Sequence, residues 1–542
     1  MIGISHENSG ENGFCRELAQ SLEHDLATEL PASITGMFAL AMFQSDGFRV
    51  VTDMLGSQPV YKAENASKDV VCVGTNADLV TAIVGHRREL DLVSIGEFLV
   101  YDQISFPFTT YQRTTEIDPA SVHQWHCKSG RTIASSNAYW QPSEPTIWPS
   151  RDDIADELES ALRSAAEEIA RGTHRIAVTL SGGRDSRTVL ALMRAKGLEA
   201  ALTYCTRENR ETEVATQVAR VAGVRHLLVR RDPHFYGNVL ERTMALIGSE
   251  VRGEAHGFAV ADAHLAEHFD VIVGGYLSDT LLKDHFMPLA QRERLRKKSL
   301  RERMISVFRA QTRPPTSTRW AASRDMLCPD IRDQVESRRQ KRLIQIADIR
   351  PQSSEEWQGF WPISRQHDVG SALANSRLFC ADELFYFRRV LEVATRISPE
   401  DRYSGTVAHL TFNRLCGPLN ALINANTGVA ASADNGEEGR FFKKLRRTGR
   451  LDEFRSLPVS DAPWNDVQHS WADPVKLLLH SPDWQRYREE IIRSNANDVL
   501  RSILSAKSRD MVTRFEPDGD PRASMALIQA GLHIKGSLAA TA

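Results

Sequence analysis

The sequence predicts an α/β protein of two domains, a β-rich front half and a doubly wound parallel sheet, followed by a helical extension. Three observations carry this expectation. Short apolar runs punctuated by turn residues fill the stretch from 34 to about 140. From Asp152 onward, apolar strand-like runs alternate with helical patterns, as parallel strands joined by helical crossovers do. The first of those strands ends in Ser181-Gly182-Gly183-Arg184-Asp185-Ser186, a glycine-rich turn that opens a helix.

In the front half, Ile34 to Met42 and Phe48 to Val51 read as strands around the turn Ser45-Asp46-Gly47. Val70 to Val73 and Val122 to Trp125 continue the pattern. The proline-rich stretch from Gln141 to Pro149 reads as a linker. A helix then spans Ile154 to Arg171, a strand 176–180, and a helix Arg187 to Lys196. The strand Ala200 to Tyr204, the helix Glu211 to Ala222 and the strand Val271-Ile272-Val273 follow. Beyond about 290 the pattern is mainly helical. The expected division is 1–145, 150–430 and an extension at 431–542, where Trp464, Trp471 and Trp484 read as packing anchors.

Composition excludes several classes. The chain of 542 residues is 42% apolar and 25% charged with a formal charge of −3, so nothing draws it globally to nucleic acid or an anionic membrane. No run approaches the roughly 18 apolar residues of a membrane span. The start, MIGISHENSGENG, has no secretory signal pattern, and seven scattered cysteines contain no C-x-x-C pair. A reducing cytoplasm is expected. Three basic runs, 292–298, 338–342 and 443–447, are interspersed with other residues and read as solvated amphipathic helices.

The chemistry is concentrated at two turns. Outward-pointing N–H groups and a helix dipole make the Ser181 turn an anion site, and paired glycines keep Cβ atoms out of the way. The turn lacks a Walker Gly-Lys-Ser/Thr ending and carries Asp185 instead, which suits magnesium held against pyrophosphate. A second strand ends in Gly274-Gly275-Tyr276-Leu277-Ser278-Asp279. If the two strands are neighbours, Asp185 and Asp279 converge on one ion. The expected reaction cuts ATP to AMP and pyrophosphate. Asp279 also reads as a helix N-cap before Thr280-Leu281-Leu282.

From about residue 34 to 430 these features resemble the glutamine-type asparagine synthetase family. Gly36-Met37-Phe38-Ala39 and Asp53-Met54-Leu55-Gly56-Ser57-Gln58-Pro59-Val60-Tyr61 are similar to its "G-x-F-A" strand and "D-x-x-G-x-x-P-L-Y" hairpin. Glu116-Ile117-Asp118-Pro119 and Tyr139-Trp140 fall where that family closes its first domain. Glu211, Ala215, Val218-Ala219 and His226 resemble the helix after its second strand. Ser376 to Asp382, preceded by Arg365, resembles "V-R-x-P-F-L-D". The resemblance implies a truncated class II amidotransferase-like (Ntn-type) front domain and an adenine-nucleotide α-hydrolase-like (PP-loop) sheet domain. It also implies that Leu180, Ser181, Gly182, Gly183, Asp185, Ser186, Thr206, Gly274 and Gly275 line an ATP site, with Asp185 and Asp279 as magnesium ligands and catalytic residues.

The chain departs from that pattern in three places. It begins Met1-Ile2 where glutamine-hydrolysing relatives expose a cysteine, and Cys15 has no free α-amine, so no glutaminase is expected. Thr280 follows Asp279 where relatives carry a second acid. The late helical segment 402–410 has no lysine, leaving Arg402, His409, Arg414 or Lys283 to supply charge. The expected activity is an ATP-dependent amide-forming ligase acting on a small-molecule or peptide carboxylate, with ammonia or a substrate amine as nucleophile. Ring closure, as in β-lactam synthetases and lasso-peptide cyclases, and a non-catalytic nucleotide binder stay open, as does a homodimer. RNA modification is disfavoured by the lack of paired cysteines.

Overall fold

A computed structural model describes residues 34–65, 70–128, 131–296, 325–425, 430–433, 477–478, 481–514 and 521–539. Cys15, the basic run 443–447, and Trp464 and Trp471 lie outside the described residues.

Two antiparallel sheets build the front half. One joins β1 (Ala39–Gln44), β2 (Gly47–Thr52), β6 (Ser121–Lys128) and β7 (Arg131–Ala138) in the order β1-β2-β6-β7. The other places β3 (Tyr61–Asn65) between β4 (Val70–Gly74) and β5 (Thr114–Glu116). Val50, Val60, Ile117 and Trp125 form an apolar layer shared by the two sheets, and Phe48 stacks on Trp125 at 4.8 Å. Two helices, α1 (Ala77–Val84) and α2 (Leu92–Tyr101), lie within the stretch that the sequence reads as β-rich. Both are capped by side chains, Asn76 and Asp91, whose oxygens accept from the first turn.

The sheet of the second half is fully parallel, in the order β10 (Arg225–Arg230), β9 (Leu198–Cys205), β8 (Ile176–Thr179), β11 (Val271–Gly274), β12 (Ala381–Glu383). The chain lays β8, β9 and β10 outward in one direction, then returns to add β11 and β12 on the other side of β8. With right-handed crossovers, that reversal makes a doubly wound sheet whose switch point lies between β8 and β11. The central strands are apolar throughout because both faces are covered: Ile176, Ala177, Val178, Ala200, Ala201 and Leu202 are wholly buried. Around them lie α3 (Arg151–Ala170), α4 (Arg184–Met193), α5 (Arg210–Ala222), α6 (Phe235–Ile247), the short α7 (Ser278–Leu282), α8 (Pro329–Ile349), α9 (Val369–Leu378), α10 (Arg388–Ala394) and α11 (Thr406–Cys416).

The C-terminal helices α12 (Pro482–Ile492), α13 (Ala496–Ile503) and α14 (Pro521–Ala539) fold back. They share a core with α2 of the front half and with Leu240 and Met244 of α6, and Trp484 is an anchor within it.

The run 338–342 corrects an expectation. Arg338 donates to Asp91 at 2.7 Å and lies over the Phe108 ring, Arg339 pairs with Glu97 and lies over Tyr101, and Arg342 lies over Phe106 and Trp361. Arg338 and Arg339 join α8 to α2 and the segment after it instead of facing solvent, their planar heads stacking on aromatic rings as well as pairing with acids, and Arg342 stacks on rings beyond α2.

Candidate functional site

The two glycine turns meet at the switch point. β11 pairs with β8 in register Val271↔Ile176, Ile272↔Ala177 and Val273↔Val178, so both strands end side by side. After β8, the buried Leu180 is held to β9 by its N–H on the Leu202 carbonyl at 2.7 Å. The next turn is braced from within: Ser186 Oγ accepts from Ser181 N at 2.9 Å, and Gly183 N donates to Ser181 Oγ at 3.2 Å. Gly182 is obligatory, since a Cβ there would come within 2.3 Å of the Ala425 methyl. No side chain caps the start of α4, which leaves first-turn N–H groups and the helix dipole for an anion. Gly275 lets the second turn approach α4, a Cβ there meeting Val189 at 3.2 Å.

Asp185 and Asp279 do converge, as the sequence leads one to expect. The group between them is the ammonium of Lys283, 2.6 and 2.7 Å from the two Asp185 oxygens and 2.7 Å from Asp279 Oδ1. Burial works against the lysine's charge, but the two carboxylates outweigh it and hold Lys283 protonated above its ordinary range. Lys283 in turn draws the Asp279 carboxyl down, whereas burial pushes Asp185 up. Asp279 sits in the first turn of α7 and not at its cap, which is Leu277. Leu277 is buried with φ +74°, a left-handed backbone that ordinarily favours glycine.

The other charge candidates separate clearly. Arg402 is wholly buried and pairs with Glu356 at 2.9 Å, a structural role. Arg414 pairs with Asp156 on α3. His409 receives Arg184 Nη1 at 2.5 Å, and Phe412, also on α11, lies 5.9 Å from both the Arg184 and Lys283 heads. The late helix therefore does face the site, and Lys283 reaches it from the residue that follows α7.

Thr206, just past β9, carries a buried hydroxyl without a hydrogen-bond partner among the described residues, and so do Tyr276, Ser278 and Tyr386. Polar groups left unsatisfied at strand ends fit a polar ligand that completes them. His226 and Thr203 tie β9 to β10 through a 2.8 Å contact, with Thr203 Oγ1 donating to the Leu180 carbonyl at 2.6 Å. Sequence reasoning missed Glu383. It ends the three-residue β12, accepts from Tyr276 N at 2.8 Å, and fills the space where a Gly274 Cβ would stand. Burial pushes its carboxyl up to about 8.

A doubly wound parallel sheet places its ligand crevice at the switch point, where the two glycine turns and the uncapped start of α4 meet. Residues 157–377 match the family model described as asparagine synthase, a family whose members use ATP. Two curated relatives share a shorter segment. The 7-cyano-7-deazaguanine synthase of Cupriavidus taiwanensis is 45% identical over 69 residues, and that of Cupriavidus pinatubonensis 44% over 69 residues. In each case the match covers 12% of this chain and 30% of the relative. Among the described residues, no helix is long and apolar enough to cross a membrane.

Proposed function

We propose that the chain is an ATP-dependent ligase that adenylates a carboxylate and passes the acyl group to nitrogen. The observation that carries this reading is the convergence of Asp185 and Asp279 on Lys283, beside the open N-terminus of α4. A substrate carboxylate oxygen attacks the α-phosphorus, the bond to the bridging oxygen breaks, and pyrophosphate leaves. Ammonia or an amine then attacks the acyl carbon, loses a proton, and expels AMP.

The residues divide the work. The Ser181–Ser186 turn and the first N–H groups of α4 bind and orient the departing phosphates. Asp185 and Asp279 would hold a magnesium ion, whose preference for hard oxygen ligands they match and whose charge would offset that of the phosphates. Lys283 supplies the positive charge that relatives draw from the later helix, and Arg184, positioned by His409, adds a second. Thr206, Gly274 and Gly275 line the nucleotide pocket on this reading.

The test is ATP–pyrophosphate exchange screened over candidate acids, beginning with aspartate plus ammonium. An acid that supports exchange in the native chain should lose about 10²–10³-fold or more of that rate in Asp185→Ala and in Lys283→Ala. Full exchange in Asp185→Ala, or nucleotide binding without exchange for any acid, overturns the reading.

A further inference from the structure

Beside this site, and outside it, His285, His367 and Asp368 bring two imidazoles and a carboxylate together. Their ligand atoms all lie within 4.8 Å of one another. His285 follows α7, two residues after Lys283, while His367 and Asp368 lead into α9. The nitrogens address the same oxygen: His367 Nε2 is 3.2 Å and His285 Nε2 3.7 Å from Asp368 Oδ2. The second separation is too long for a hydrogen bond. Both bracket the edge of about 3.4 Å expected between ligands of a tetrahedral ion with bonds near 2.1 Å.

Neighbouring groups support the arrangement. Asp368 occupies the N-cap position of α9, yet its side chain makes no capping bond, so the carboxylate is directed elsewhere. Arg252 Nη1 lies 3.6 Å from Oδ1, the other oxygen, and leaves Oδ2 to the histidines. The Phe286 ring packs edge-on against both imidazoles, at 4.9 and 5.4 Å, and sets their planes. The three side chains are 41%, 24% and 43% exposed, so an ion can enter from solvent and a coordination position is left open.

We propose that His285, His367 and Asp368 bind a divalent transition-metal ion of the zinc class. Imidazole ligands exclude magnesium and calcium as preferred occupants, since those ions take oxygen donors. The ion clamps the loop after α7 to the start of α9 and so fixes Lys283 between its two aspartates. The site adjoins the Asp185–Asp279 pair, close enough for His285 to act on the Asp279 carboxyl, but it uses neither of those carboxylates and does not depend on the ligase reading.

Cobalt(II) added to the nucleotide-free full chain tests it. One equivalent should bind with the intense visible absorption of a low-coordinate ion, and zinc should displace it. His285→Ala and His367→Ala should each weaken binding at least about tenfold, while Asp185→Ala leaves it unchanged. His285→Cys should retain the ion and add a thiolate-to-cobalt charge-transfer band, which only a direct ligand produces. Absence of stoichiometric binding, or binding that survives both histidine-to-alanine changes, overturns the proposal. So does a His285→Cys spectrum without the new band in folded protein.

Discussion

Among the described residues, no basic side chain pairs with Glu383. It is 7% exposed, with the Tyr276 N–H donating to it and Asp382 beside it raising its pKa further. Its carboxyl rises from an ordinary 4.5 to about 8 in the folded chain. The folded state thus binds a proton that the unfolded state has already lost between these values. Its stabilising contribution is complete below 4.5, falls as the pH climbs, and is gone above about 8. Glu383→Gln keeps the shape and an acceptor for Tyr276 but cannot ionise. The variant is expected to match the native chain in chemical denaturation at pH 4. At pH 9 it should exceed the native chain by roughly 3–5 kcal/mol, each tenfold difference in proton affinity between the folded and unfolded states being worth about 1.4 kcal/mol. Equal stability at both pH values would show that the group ionises freely.

At the scale of elements, the C-terminal helix α14 is seated by a glycine. A Cβ on Gly531 would lie 2.6–2.9 Å from the Ile491 side chain of α12, well inside contact distance. Gly531→Leu is therefore expected to cost about 1–3 kcal/mol in thermal or denaturant unfolding. Ile491→Ala should recover part of that loss in the double variant, because the two positions share one space. Additive effects would mean that the helices do not touch there.

The same elements show what the sequence makes legible. β8 and β11 could be read because each is an apolar run closed by a glycine pair, and their pairing placed Asp185 beside Asp279. β12 could not, since three residues with two acids, Ala381-Asp382-Glu383, carry no strand pattern of their own. Only the parallel pairing Ile272↔Ala381 makes them a strand and brings Glu383 to the site. Lys283 was one of four candidates by proximity in sequence alone. What distinguishes it is the turn from β11 through α7, which carries it back toward α4 and which no local periodicity encodes. The helices α1 and α2 escaped notice because short apolar runs do not distinguish helix from strand.

Across the whole molecule, the motif residues of the front half prove to be contacts with the second half. Asp53 gathers the N–H groups of Leu55, Ser57 and Gln58 into one turn. That turn presents the Leu55 carbonyl to Ile363 N at 2.7 Å and Gln58 Nε2 to Ser376 Oγ at 2.7 Å. Below it, Arg365 pairs with Glu116 at 2.5 Å and lies 3.9 Å from Glu250, which itself accepts from the Thr110 N–H and hydroxyl. All three groups are buried, so removing Arg365 leaves two desolvated carboxyls without the cation that pairs with them. Breaking such a pair costs about 3–5 kcal/mol, far more than the pair contributes relative to an apolar replacement. Arg365→Ala is therefore expected to lower stability by that amount. In the native chain the shared knot should make the front sheets and the parallel sheet unfold in one calorimetric transition. The Arg365→Ala, Glu116→Gln double variant should be more stable than Arg365→Ala alone, since it removes one of the stranded charges. A single variant that melts with the native chain would show that the two halves are joined elsewhere and that this buried trio is incidental to their union.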